Sequence, residues 1–96
     1  MQNRDQFIEQ MKAKIDEWNA EIEKLQARLR EESAERKQEL EEKIAELRTQ
    51  RDRASDELSR MREESESEWE TRRAEAERAW ADIKEGFRRA WERVTG

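Results

Sequence analysis

From Ile8 the apolar residues recur as Met11, Ile15, Trp18, Ile22, Leu25 and Leu29, in alternating steps of three and four. A disordered chain has no reason to keep such a period. On a helix these positions fall within about 100° of arc, the narrow stripe of a coiled-coil seam. The stripe lapses after Leu29: Ala34 is the sole apolar residue before Leu40, and Ser33 and Arg36 stand in the row. It resumes with Leu40, Ile44, Leu47, Ala54, Leu58 and Met61, interrupted by Arg51. The four-residue steps Leu25/Leu29/Ser33 and Arg36/Leu40/Ile44 are stutters, which unwind a left-handed supercoil and predict nearly straight helices there.

The last third follows another rule. Trp69, Trp80 and Trp91 are 11 residues apart, so each lies about 20° round the helix from the one before. Ala76, Ile83, Phe87 and Val94 join the same face. Glu68 with Arg72 and Glu85 with Arg89 are spaced for i,i+4 ion pairs along the same helix, worth a few tenths of a kcal/mol each. Gly86 interrupts this helix at a cost of about 1 kcal/mol relative to Ala, which predicts a close helix approach or a small bend.

The pattern predicts an all-α fold, a long-helix coiled coil in one domain over residues 1–96. The interior start signals are Thr49 with Asp52, and Ser55 followed by Asp56 and Glu57, acids suited to the positive end of a helix. They favour an antiparallel hairpin: a helix over about 4–48, a tip at about 49–55 and a helix over about 56–94. Folding there sets Leu29 opposite Ala76, Leu25 opposite Trp80, Trp18 opposite Phe87 and Ile15 opposite Trp91, and it matches the polar stretch 30–39 with the polar stretch 66–75. Two rivals remain. One is a single continuous helix; the other is three helices broken near 33–37 and near 65–67, where Ser65 and Glu68 have capping-box spacing. A lone hairpin buries little against the entropy of ordering its chain, so self-association into a helical bundle is expected, with a dimer of hairpins favoured. The predicted helix–helix interface is Ile8, Met11, Ile15, Trp18, Ile22, Leu25, Leu29, Leu40, Ile44, Leu47, Leu58, Met61, Trp69, Ala76, Trp80, Ile83, Phe87, Trp91 and Val94.

Composition narrows the chemistry. With no Cys, no His, no Pro and 2 Gly, the chain lacks the means for thiol chemistry, zinc fingers, histidine triads or turn-rich β folds. Its 21 Lys and Arg are interspersed with 26 Asp and Glu, a pattern of solvated helix faces that makes nucleic acid a poor partner. The carboxylates Glu31, Glu32, Glu35, Glu39, Glu41 and Glu42 read as such a face, since di-iron bundles need His and calcium loops need a Gly-containing turn. No enzyme activity, catalytic residue, metal or cofactor is expected. The chain has no apolar run of the ~20 residues that cross a bilayer, and a cytoplasmic location is the default. Arg36 and Arg51 in the seam, with the irregular stutters, argue against an idealised artificial helix.

The segments Ile15-Asp16-Glu17-Trp18-Asn19-Ala20-Glu21-Ile22 and Ala79-Trp80-Ala81-Asp82-Ile83-Lys84-Glu85-Gly86-Phe87-Arg88-Arg89-Ala90-Trp91 resemble those of small bacterial coiled-coil stress-response proteins. In that family an early helix carries a Trp in an acidic heptad, and a final helix carries Trp at 11-residue spacing beside a Gly. The resemblance implies a soluble, non-enzymatic, stress-associated protein. The expected function is structural: association of helices with copies of the same chain or with another coiled-coil protein. The alternative is a peripheral binder of anionic membrane surfaces, with Trp69, Trp80, Phe87 and Trp91 inserted at the headgroup boundary and flanked by Arg and Lys, as in exchangeable apolipoproteins with their 11-residue repeats.

Overall fold

The computed structural model describes residues 3–95; Met1, Gln2 and Gly96, counted above within the single domain, lie outside the described residues. The fold is all-α. Helices α1 (Arg4–Leu29), α2 (Ala34–Glu63) and α3 (Glu66–Thr95) follow one another and pack into a rod of 52 × 19 × 18 Å.

Local signals start two of the helices. Asn3 caps α1 in a reciprocal box: its side chain accepts from the Gln6 N–H at 2.8 Å, and its own N–H donates to Gln6 Oε1 at 3.2 Å. Ser65 and Glu68 do the same for α3, with the Glu68 N–H donating to Ser65 Oγ at 3.2 Å and the Ser65 N–H to Glu68 Oε1 at 3.3 Å. Each box satisfies backbone groups that a helix start leaves without intrahelical partners.

The hairpin tip is not where the chain turns. Residues 49–55 lie inside α2, and Thr49 Oγ1 donates back to the Ala45 carbonyl at 3.0 Å, the bond of a threonine within a helix rather than at its start. The turns fall at 30–33 and 64–65, where the apolar stripe lapses and a break forfeits no burial. Arg93 Nη1 lies 2.6 Å from Glu46 Oε2 and Arg72 Nη2 3.0 Å from Glu57 Oε1, so α3 runs antiparallel to α2. Arg51 Nη1 donates to Asn19 Oδ1 at 3.0 Å across the α1–α2 pair.

The sense of α1 against α3 follows from their aromatic pairs. Phe7 meets Trp69 with ring centroids 5.6 Å apart, and Trp18 meets Trp80 at 5.4 Å and stacks on Phe87 at 4.3 Å. Residue numbers rise together, so the helices are parallel and the topology is up-down-up. The expected contact of Trp18 with Phe87 is present, but in a pair of opposite sense to the hairpin. Helix α2 is the central member, its backbone close to both neighbours, while large aromatic side chains span from α1 to α3. These rings, oversized for a two-stranded seam, fill the centre of a three-stranded one. Gly86 faces α2 at close range: a Cβ there would come within 2.8 Å of the Gln50 side-chain carboxamide.

Candidate interaction surface

Most of the predicted interface residues converge on one core inside the chain. Met11, Ile15, Trp18, Ile22 and Leu25 from α1, Ile44, Leu47, Leu58 and Met61 from α2, and Trp69, Ala76, Trp80, Ile83 and Phe87 from α3 are buried there. Ile8, Leu40, Trp91 and Val94 are partly buried against it, and Leu29 is half-buried at the end of α1. Ala54, part of the α2 row, is buried as well. Phe7 and Ala90 are core residues missing from the predicted interface. The signals for both lay in the spacing: Phe7 is four residues before Met11, and Ala90 is three after Phe87. The start of the α1 stripe therefore shifts from Ile8 to Phe7.

At the corner between α2 and α3 a compact ionic cluster closes the bundle. Arg72 Nε donates to Glu64 Oε1 at 2.6 Å and its Nη2 to Glu57 Oε1 at 3.0 Å, with the three side chains 15%, 8% and 12% exposed respectively. The hydrogen bond to Glu64 is the main reason the Arg72 guanidinium is held in its charged form beyond its ordinary range. Glu64 Oε2 is buried without a hydrogen-bond partner among the described residues. Arg4 reaches from α1 to donate to the Glu64 backbone carbonyl. The spacing-based pair of Glu68 with Arg72 is replaced by this arrangement, because Glu68 is engaged by Ser65. Hydrogen bonds from the Ser65 side chain and then its backbone lower the Glu68 carboxyl below its ordinary range.

On the opposite half of the rod, the α1–α3 seam opens into a groove of about 620 Å³. Trp18, Phe87 and the half-buried Trp91 give it an apolar floor. Along its rim stand Lys14, Glu17 and Glu21 from α1 and Lys84, Glu85 and Arg88 from α3. Lys84 Nζ lies 5.6 Å from the Trp80 ring centroid, within cation–π range. Glu85 accepts from Arg88 at 2.5 Å and from Arg89 at 3.2 Å, the latter being the predicted i,i+4 pair. The hydrogen bond from Arg88 chiefly holds the Glu85 carboxyl down to about 2. Glu92 also takes a bond from Arg88, and Lys14 pairs with Glu17, so these two rim cations are paired along their own helices.

Among the described residues no group of three or more His, Cys, Asp or Glu is placed to hold a metal ion. No described helix is long and apolar enough to cross a membrane. In comparisons with known proteins, no family model, no curated protein and no solved structure matches this chain.

Proposed function

We propose that this protein is a non-enzymatic helix-association module that seats an amphipathic helix in the α1–α3 groove, foremost a helix of a second copy. The observation that carries this reading is the groove itself. Its apolar floor of Trp18, Phe87 and Trp91 is bordered by three cationic and three anionic rim residues. A rim of balanced sign suits a helix carrying both charges, and a two-fold-related copy supplies such a helix. It is poorly suited to a polyanion. A coiled-coil client with the same charge pattern would use the same seat, and the stress association implied by the resemblance would then concern when such clients are bound.

Binding to anionic membranes draws less support from the geometry. Trp69, Trp80 and Phe87 are only 2%, 6% and 6% exposed, so the aromatic stripe faces the core, with Trp91 alone at its edge. The test is sedimentation velocity from micromolar to millimolar concentration on the wild type and on Trp91→Glu, with flotation on anionic vesicles alongside. The reading expects concentration-dependent association of the wild type that Trp91→Glu weakens at least tenfold, and no flotation. Association unaffected by Trp91→Glu, or flotation with a blue shift in Trp emission, would overturn it.

A further inference from the structure

The two corners of the bundle are built differently. At 64–65 the chain is latched: Glu64 is extended at φ −75°, ψ 145°, its side chain is gripped by Arg72, its carbonyl by Arg4, and Ser65 begins a capping box. Among the described residues nothing comparable holds 30–33. Arg30 is still right-handed helical at φ −65°, ψ −23°. The N–H groups of Arg30, Glu31 and Glu32 each bond to the carbonyl three residues back, the tightened last turn of a helix. The chain leaves that course at Ser33, which is extended at φ −65°, ψ 161° and makes no side-chain capping bond. Arg30, Glu31 and Ser33 are exposed. No residue in the corner is Gly or Pro, and no described residue has a positive φ. The corner thus holds nothing that forbids a helix, and Arg and Glu favour one.

From this asymmetry we propose that α1 is an exchangeable arm. Rotation at Ser33 merges α1 and α2 into one helix, and two copies trade their α1 helices, each α1 occupying in the partner the seat it holds in its own chain. The occupant is fixed by identity. The seat for Phe7, Met11, Ile15, Trp18, Ile22 and Leu25 is formed by α2 and α3 of any copy. Both forms bury the same core, so the balance between them lies in the corner and in concentration. A continuous helix regains the i→i−4 bonds that 30–33 lacks, against the entropy of bringing two chains together. Arm exchange is independent of the α1–α3 groove and goes beyond groove docking, since it consumes a corner rather than a surface.

The experiment uses the full chain, unfolded in urea and refolded at about 1 mM, with the dimer isolated by gel filtration. In one variant Asn19→Cys and Arg51→Cys, whose parent side chains touch across α1 and α2, are joined by a short bismaleimide. Exchange places these sites on different chains, so the dimer should run as a covalent dimer under denaturing conditions. Its longest dimension by scattering should reach about 90 Å, from 1.5 Å per residue between Arg4 and Glu63. A second variant, Ala34→Pro, keeps the closed corner: Ser33 already has the extended ψ that a residue before proline prefers, and the first helical position tolerates proline. Within a continuous helix the same proline breaks a bond and clashes. It should reduce the dimer at least tenfold while leaving the monomer's circular dichroism unchanged, and Ser33→Ala should enrich the dimer. A dimer cross-linked only within chains, a dimer fraction equal in wild type and Ala34→Pro, or a wild type that refolds wholly as monomer would each overturn arm exchange. The first two of these leave groove association standing.

Discussion

The parallel course of α1 and α3 has a direct energetic signature in the pair Phe7 and Trp69. Their side chains are 4% and 2% exposed, and their ring centroids are 5.6 Å apart at 43°. A tilted aromatic pair at that distance contributes about 0.5–1.5 kcal/mol beyond its buried area. We predict that Phe7→Leu costs about 1 kcal/mol as a near volume-conserving change, and that Trp69→Leu costs about 2–3 kcal/mol through the cavity it leaves. The double variant should lose less than the two losses combined, by about 0.5–1.5 kcal/mol. With a total stability on the order of 5–15 kcal/mol, all variants stay folded in buffer. Urea unfolding followed by far-UV circular dichroism gives the three differences. In a hairpin turning near 52, Trp69 would face residue 36 and lie about 43 Å from Phe7 at 1.5 Å per residue. Losses that add to within about 0.3 kcal/mol, as they do for distant sites, would refute the parallel bundle.

Three further outcomes follow from particular side chains. Gly86→Ala should raise stability by about 0.5–1 kcal/mol through helix propensity, because the atoms a Cβ would meet are the mobile end of Gln50; thermal melts of Gly86→Ala with and without Gln50→Ala check this, and a destabilised double variant would locate the contact in the backbone instead. Arg72→Met leaves the Glu57 and Glu64 carboxylates without their shared cation and should cost about 3 kcal/mol at pH 7, read as a lowered urea midpoint; an unchanged midpoint would show that the cluster adds nothing to the fold. Glu85, held down to about 2 by Arg88, contributes stability that is present above its ordinary 4.5 and is lost as pH falls toward 2; side-chain NMR should show a midpoint well below 4.5 that climbs in about 1 M NaCl, where the screening length is about 3 Å, and a midpoint at 4.5 in low salt would remove the claim.

The helices and nearly all of the core were legible because both rest on periodicity, and periodicity is written in the order of residues. The 11-residue series shows where that reading thins. Trp69 and Trp80 are buried, whereas Trp91 is half-buried and Ala90 takes the core position beside it. A drift of about 20° per 11 residues carries the third Trp toward the α1–α3 edge, which is why the groove has an aromatic wall. The Arg72 cluster had no comparable signal. Its partners lie 8 and 15 residues away, beyond any intrahelical spacing, and meet only once the corner at Glu64 exists.

The corners leave a weaker mark in the sequence, for a physical reason. Thr49 and Ser55 are residues that cap helices, but capping is a competition: the apolar row of α2 resumes past Arg51 at Ala54 and Leu58, so the backbone stays helical through both and the Thr49 hydroxyl bonds backward. In a hairpin the polar stretches 30–39 and 66–75 would face each other across two arms. The first corner, 30–33, does fall in the stretch 30–39, where a helix can stop without uncovering a large apolar side chain, whereas 66–75 lies inside α3 with Trp69 in the core and the second corner falls just before it at 64–65. The same choice settles how the burial requirement is met. Two helices leave the Trp18, Trp80 and Phe87 rings without a third wall, which is what made a second chain look necessary. Three helices enclose those rings in a single chain, so association is freed from the task of completing the core. An interaction that need not hold the fold together can be concentration-dependent and reversible, which is the regime the proposed helix association requires.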